Sequence, residues 1–85
     1  MSEDRIPVDA GVVWPDDVDA EEGVVVNWFV REGRSVDEGE TLCEIQAEKV
    51  SVDVPAPVAG ELVEIVLAED AEFEKGDTLA WIEPA

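Results

Sequence analysis

Residues 41–54 hold two short apolar-rich runs around one polar break, and in the second run valines alternate with Ser51 and Asp53. Thr41-Leu42-Cys43-Glu44-Ile45 is followed by the break Gln46-Ala47-Glu48-Lys49, and then by Val50-Ser51-Val52-Asp53-Val54. A period of two marks a half-buried strand. Two such runs around a short polar break predict a hairpin over 41–54, with Glu48 and Lys49 at the two central turn positions, held out in water. No Asn-Gly or Asp-Gly occupies the break, so the sequence predicts a type I-like turn rather than a primed one.

The same pattern occurs twice along the chain. Gly23-Val24-Val25-Val26-Asn27-Trp28-Phe29-Val30-Arg31-Glu32-Gly33 leads through Val36 to Gly39-Glu40-Thr41-Leu42 and Ile45. Gly60-Glu61-Leu62-Val63-Glu64-Ile65-Val66-Leu67-Ala68-Glu69-Asp70 leads through Phe73 to Gly76-Asp77-Thr78-Leu79 and Ile82. The offset is 37 positions throughout, without a gap. It aligns halves of about 23–46 and 60–83. Two copies are too few for a solenoid. Neither half can bury its apolar face alone, so the repeat predicts two halves packed face to face in a β-sandwich with a pseudo-twofold axis. Gly39 and Gly76 precede strands as turn residues do, and Gly33 and Asp70 fall at matching sites suited to positive φ. Pro55-Ala56-Pro57 ends the second hairpin strand. No segment sustains apolar spacing at period 3.6, so helices should be absent or trivial. The partner position of Lys49 lies just past Ala85. The repeat therefore places the lysine hairpin at one end of the sandwich and the chain termini at the other.

Outside the repeat the signals are weaker. Residues 1–4 are expected to fray. Arg5-Ile6-Pro7-Val8 reads as a first strand, with Pro7 at an edge or strand start. Val12-Val13-Trp14 is apolar, and Pro15 ends it. Asp16-Asp17-Val18-Asp19-Ala20-Glu21-Glu22 reads as a solvated acidic loop. Residues 5–85 are expected to form a single small domain with a thin core.

Composition narrows the chemistry. The chain has 23 acids, 5 bases and no histidine, for a formal net charge of −18. Such a charge repels phosphate backbones and anionic membranes, so neither nucleic acid nor a membrane is an expected partner. Acids spread along the whole chain suggest adaptation to concentrated salt, which would screen the self-repulsion. The lack of histidine removes the commonest general base and metal ligand. A single cysteine excludes an internal disulfide and a cysteine-based zinc cluster. No apolar run reaches membrane-span length and the first residues resemble no signal peptide, so a cytoplasmic protein, monomeric as an isolated domain, is expected. Cys43 aligns with Ala80 and reads as a small core residue. Trp28 aligns with Ile65 and is expected in the core, whereas Trp14 and Trp81 are expected half-buried near sheet edges. Lys75 aligns with Glu38 beside a turn glycine and reads as plain surface. Nothing marks a cleft around Glu21 and Glu22.

The ordered set Gly23, Val25, Val26, Trp28, Val30, Glu32-Gly33, Gly39, Leu42, Ile45, Glu48-Lys49-Val50 and Pro57-Val58-x-Gly60 resembles the biotinyl/lipoyl carrier family. It is most like the lipoyl domains of 2-oxoacid dehydrogenase complexes, over about residues 5–83. The resemblance implies an all-β fold, a flattened barrel-sandwich of two four-stranded antiparallel sheets. It places the family's modified lysine at Lys49, with Glu48 and Val50 as neighbours read by the modifying enzyme. Gln46 stands where a glutamate commonly opens the lipoyl signature, and Ala47 is closer to biotin carriers. Biotin carriers, however, flank the lysine with methionines, and the only methionine here is Met1.

The resemblance therefore implies covalent lipoate on Lys49, with biotin as the alternative. It implies a non-catalytic swinging-arm carrier that moves acyl groups between a thiamine-dependent decarboxylase, an acyltransferase and a dihydrolipoyl dehydrogenase. A lipoate ligase or lipoyl transferase would load it. The carrier is expected either as a separate small protein or as part of a longer chain. In the lipoyl family the loop matching Asp16–Glu22 resembles a recognition element for the decarboxylase. A biotin carboxyl carrier and an unmodified barrel-sandwich interaction module are the competing readings.

Overall fold

A computed structural model describes residues 5–85; the expected fraying of residues 1–4 lies outside them. The alternating segments form eight strands. They are β1 (Ile6–Asp9), β2 (Glu22–Trp28), β3 (Ser35–Val36), β4 (Thr41–Ala47), β5 (Val50–Pro55), β6 (Gly60–Ile65), β7 (Glu72–Glu74) and β8 (Thr78–Pro84). They build two four-stranded antiparallel sheets, ordered β1-β8-β6-β3 and β5-β4-β2-β7. The one helical element among the described residues is a 3-10 turn, Ala10–Val13, which begins where the Asp9 carboxylate accepts the Gly11 N–H at 2.6 Å.

The pseudo-twofold symmetry read from the repeat extends to single hydrogen bonds. Thirty-seven positions carry β2 onto β6, β3 onto β7 and β4 onto β8, while β5 fills in its sheet the place that β1 fills in the other. The β2–β4 ladder slips at Val26, and the β6–β8 ladder slips at its mate Val63. Such bulges sharpen the local twist and let the sheets curl over a common core. The Gly33 N–H donates to the Leu62 carbonyl and the Asp70 N–H to the Val25 carbonyl, each at 2.7 Å. Two carboxylates cross between the halves. Glu32 accepts from the Ile65 N–H at 2.8 Å, and its mate Glu69 accepts from the Trp28 N–H at 3.2 Å.

The halves are not two separate sheets facing each other, as the repeat alone predicts. Each sends its short middle strand into the opposite sheet: β3 pairs with β6, and β7 pairs with β2. Gly33 at φ 88° and Asp70 at φ 72° make the turns that carry the chain across. The exchange has a physical reason. It gives β2 and β6 a hydrogen-bonded neighbour on the edge that β4 and β8 leave open.

The core is made of mates. Val25 and Leu62, Val36 and Phe73, Leu42 and Leu79, Cys43 and Ala80, and Ile45 and Ile82 are all buried, with Val8 and Val54 added from β1 and β5. Inward residues alternate with acids outside, which is how an 85-residue chain combines a continuous apolar interior with 23 carboxylates. Gly60 is dictated by space, because a Cβ there would run into the backbone at Glu83 and Pro84.

The tryptophans depart from expectation. Trp14 is 7% exposed and belongs to the core. Its ring meets Phe73 edge-on at a centroid distance of 6.1 Å, and its Nε1–H donates to the Ala20 carbonyl at 3.0 Å. Trp28, expected in the core, is only half-buried, because its Nε1–H reaches the Leu67 carbonyl at 2.8 Å near the rim. Trp81 is half-buried as expected, but on interior strand β8, where it is paired with Pro7 and Glu64. The acidic loop has no regular strand or helix before Glu22, yet it is not wholly solvated. Val18 is buried and joins the core cluster.

Candidate functional site

The lysine hairpin is formed by β4 and β5. Their register runs from Cys43 opposite Val54 to Ala47 opposite Val50, leaving Glu48 and Lys49 as a two-residue connection. On the inward face, Cys43, Ile45 and Ala47 are fully buried, as is Val54 opposite Cys43. Burial fades toward the tip, where Val50 is 38% exposed and Glu48 and Lys49 are exposed. The hairpin is thus anchored along its length and bare at its end.

The turn differs from the type I-like expectation. Glu48 has a φ of 57°, and positive φ at the first central residue belongs to the primed turns. A two-residue connection has to match the right-handed twist of its strands, and primed turns do so while type I splays them. A non-glycine residue in this region costs about 1–2 kcal/mol. The paired strands on either side hold it there, so the backbone at Lys49 is fixed while the side chain is free. Among the described residues no carboxylate lies within ion-pair distance of Lys49; the one pair found is Arg5 with Glu64, at 4.0 Å. The Lys49 amine is therefore unshielded and open to amide formation.

Beneath the hairpin lies a support that the sequence did not announce. Gly23 packs against the Gln46 carbonyl, where an added Cβ would come within 3.0 Å, and within 3.1 Å and 3.2 Å of the Phe73 and Trp14 rings. These residues brace the base of the turn from β2, β7 and the chain before the acidic loop. The only signal was the recurrence of Gly23 as Gly60. The acidic loop is tied to the same end, since the Lys75 N–H donates to the Glu21 carbonyl at 2.6 Å. Beside Glu48 an open groove of about 760 Å³ is lined by Glu22, Glu72, Glu74 and Asp77 over Val24 and Phe73. Lys49 thus projects from a strongly negative end of the molecule.

Lys75 is exposed surface, away from any partner carboxylate among the described residues. Cys43 is sealed in the interior, and burial together with the nearby Asp53 charge pushes its thiol up to about 12. A thiol held protonated in this way is inert. Among the described residues no group of three or more acids or cysteines is arranged to hold a metal ion.

The hairpin runs away from the chain end. β5 leaves the tip and reaches Pro55, and the Ala59 carbonyl soon after accepts the Ala85 N–H at 3.1 Å. The lysine thus stands on a braced two-residue turn at the far end of a twofold barrel-sandwich. The biotin/lipoyl family model, described as "Biotin-requiring enzyme", matches residues 15–82. The chain belongs to this family. Its domains carry covalently attached biotin or lipoate and are attachment domains without catalytic machinery of their own.

Curated relatives point toward the lipoyl branch. The chain is 36% identical over 62 residues to the dihydrolipoyllysine-residue acetyltransferase component of the pyruvate dehydrogenase complex of Staphylococcus aureus, and 34% identical to that of Staphylococcus epidermidis. These matches cover 73% of this chain and 14% of the relatives, so the chain corresponds to a small part of those proteins. Among solved structures, the lipoyl domain of the 2-oxoglutarate dehydrogenase complex from Azotobacter vinelandii matches with a TM-score of 0.68 at 26% identity, over 95% of this chain and 98% of that domain. A single-chain, multi-domain long-chain acyl-CoA carboxylase shares the fold with a TM-score of 0.80 at 20% identity, over 100% of this chain and 8% of that one.

Proposed function

We propose that Lys49 is the attachment point for lipoate, and that the loaded domain passes acyl groups between the enzymes of a 2-oxoacid dehydrogenase complex. The observation that carries this reading is the exposed, unpaired Lys49 on a rigid hairpin tip, in a family defined by such an attachment. The identity to acetyltransferase components of pyruvate dehydrogenase complexes supports lipoate over biotin. So do the neighbours Glu48 and Val50, in place of flanking methionines.

The chain's own part in this function is mechanical and electrostatic. The paired strands hold the Lys49 backbone still and the tip carries the side chain clear of the sandwich, so one amine can enter several active sites in turn. Amide formation at Nζ removes the only positive charge of the tip and leaves Glu48 beside a neutral arm. When bound, lipoate would supply the chemistry of reversible acyl carriage on its sulfurs, and Lys49 would hold and present it. Tethering keeps the carried group at high local concentration for the next enzyme. The partners are a loading ligase or transferase, a thiamine-dependent decarboxylase, an acyltransferase and a dihydrolipoyl dehydrogenase.

Biotin is the second reading, favoured by the fold match to the acyl-CoA carboxylase and by Ala47. Intact mass of the protein from its own source, with peptide mapping around Lys49, separates the two. A lipoyl adduct on Lys49 is expected. A biotinyl adduct would move the domain to carboxylases. A bare Lys49 in cells that lipoylate other proteins would remove the carrier reading and leave an interaction module.

A further inference from the structure

The end of β2 opposite the lysine hairpin bears a second groove, of about 870 Å³, lined by Phe29, Arg31, Arg34 and Ser35. Its character inverts that of the rest of the surface. Phe29 is 52% exposed. Arg31 and Arg34 are two of the 5 bases in the chain. Both are exposed, and among the described residues neither lies within ion-pair distance of a carboxylate. Glu40 is the only acid in the lining. Ser35 lies on β3, the outermost strand of its sheet, whose far edge has no partner strand.

The twofold repeat provides an internal control. The mates of Phe29, Arg31 and Arg34 are Val66, Ala68 and Ala71. The two connections keep the same backbone bonds. The Arg34 N–H donates to the Arg31 carbonyl at 3.2 Å, and the Ala71 N–H to the Ala68 carbonyl at 3.1 Å. The Arg34 carbonyl accepts from Leu62 and the Ala71 carbonyl from Val25, both at 2.9 Å. The fold therefore makes this connection without arginine. In a chain of net charge −18, two arginines that the backbone does not need line one groove with an exposed aromatic ring.

We propose that this groove binds an acidic peptide segment of a partner protein, laid along the free edge of β3. The arginine forks match carboxylates. The Phe29 ring offers a face for one apolar side chain of the segment. The open edge supplies backbone hydrogen bonds by strand addition. A short segment with a few carboxylates lies within the local field of the two arginines, whereas a long polyanion meets the repulsion of the whole chain. The site is independent of any modification of Lys49 and leaves the lysine end unobstructed.

The test is a titration of the isotope-labelled 85-residue chain, followed by backbone amide NMR shifts. The probe is the synthetic peptide acetyl-Asp-Glu-Leu-Asp-Glu-Leu-amide. Saturable shifts confined to the segment from Phe29 to Val36 and neighbouring β6 are expected, with Glu48 to Val50 unmoved. R31A/R34A, which installs the residues of the mate connection, should weaken binding at least about tenfold. Absent or diffuse shifts would overturn the proposal. So would equal shifts of the amides from Phe29 to Val36 by a peptide with lysine in place of each acid, a comparison at those amides that decides the matter even if the double variant does not fold. Tighter binding of inorganic pyrophosphate at the same amides would overturn it in favour of a phosphate ligand.

Discussion

The β4–β5 pair and the β8–β1 pair occupy equivalent places in the two sheets, and only one of them is closed by a turn. In the first, a two-residue turn closes the strands and displays Lys49. In the second, the strands pair antiparallel over Ile6–Asp9 but lie at opposite ends of the sequence, so no turn joins them. The inward residues of β4 and β8 match, leucine for leucine and isoleucine for isoleucine. The difference lies in what caps them. Packing is governed by the twofold pattern, because both sheets share one core. The proposed chemistry sits at the positions that the symmetry leaves unconstrained, namely turn tips and outward faces.

Exchanging lysines tests the hairpin tip against ordinary surface. Lys49→Arg should abolish attachment of the prosthetic group, read by intact mass after coexpression with a lipoate ligase, with the melting temperature unchanged. Lys75→Arg should be modified as fully as the parent. Modification that survives Lys49→Arg would sink the assignment.

A second pair tests the symmetry of the core. Leu42→Ala and Leu79→Ala each empty a fully buried site and should each cost roughly 2–5 kcal/mol in denaturant unfolding. Their difference should be small beside either loss. A large difference would show that one half carries the fold.

Gly60→Ala places a Cβ against unyielding backbone at Glu83 and Pro84, whereas Gly23→Ala meets two aromatic rings that can shift and one carbonyl. The first should cost about 1–3 kcal/mol or more, and the second less. The reverse order would mean that the hairpin brace is the stiffer of the two sites.

Cys43 and Ala80 differ only in a thiol. Folding raises the Cys43 value from 9.0 to about 12, so the folded state keeps a proton that the unfolded state has lost between those limits. Stability should be unaffected by this thiol below pH 9.0 and should fall as pH rises above it, by at most ~1.4 kcal/mol per pH unit. Cys43→Ala should remove that part of the alkaline loss, as measured by chemical denaturation at pH 8 and pH 10.

The smallest effect concerns charge. Glu44 and Asp53 face each other across the hairpin, and like charges opposite one another destabilise a strand pair by a few tenths of a kcal/mol to about 1. Glu44→Lys should raise the melting temperature in dilute buffer and should lose that advantage in molar salt. We propose that the acidic chain is salt-adapted and expect the parent itself to gain stability with salt; a melt unchanged between millimolar and molar salt would count against that origin.

Much of this molecule was legible as a string. A two-residue period and a 37-position repeat determined the strands, the pairing of mates in the core, the positive φ at Gly33 and Asp70, and the place of Lys49 on a hairpin, because each depends on spacing along the chain. Other features were decided only by tertiary structure, because they depend on which residues distant in sequence come to touch. The exchange of β3 and β7 between sheets, the crossed Glu32 and Glu69 carboxylates, and the primed turn at Glu48 arise from closing two twisted sheets over one core. So do the burial of Trp14 against Phe73 and the gathering of Phe29, Arg31 and Arg34 beside an open strand edge. A linear pattern says which side chains want to be inside; only the folded chain says what each of them meets there.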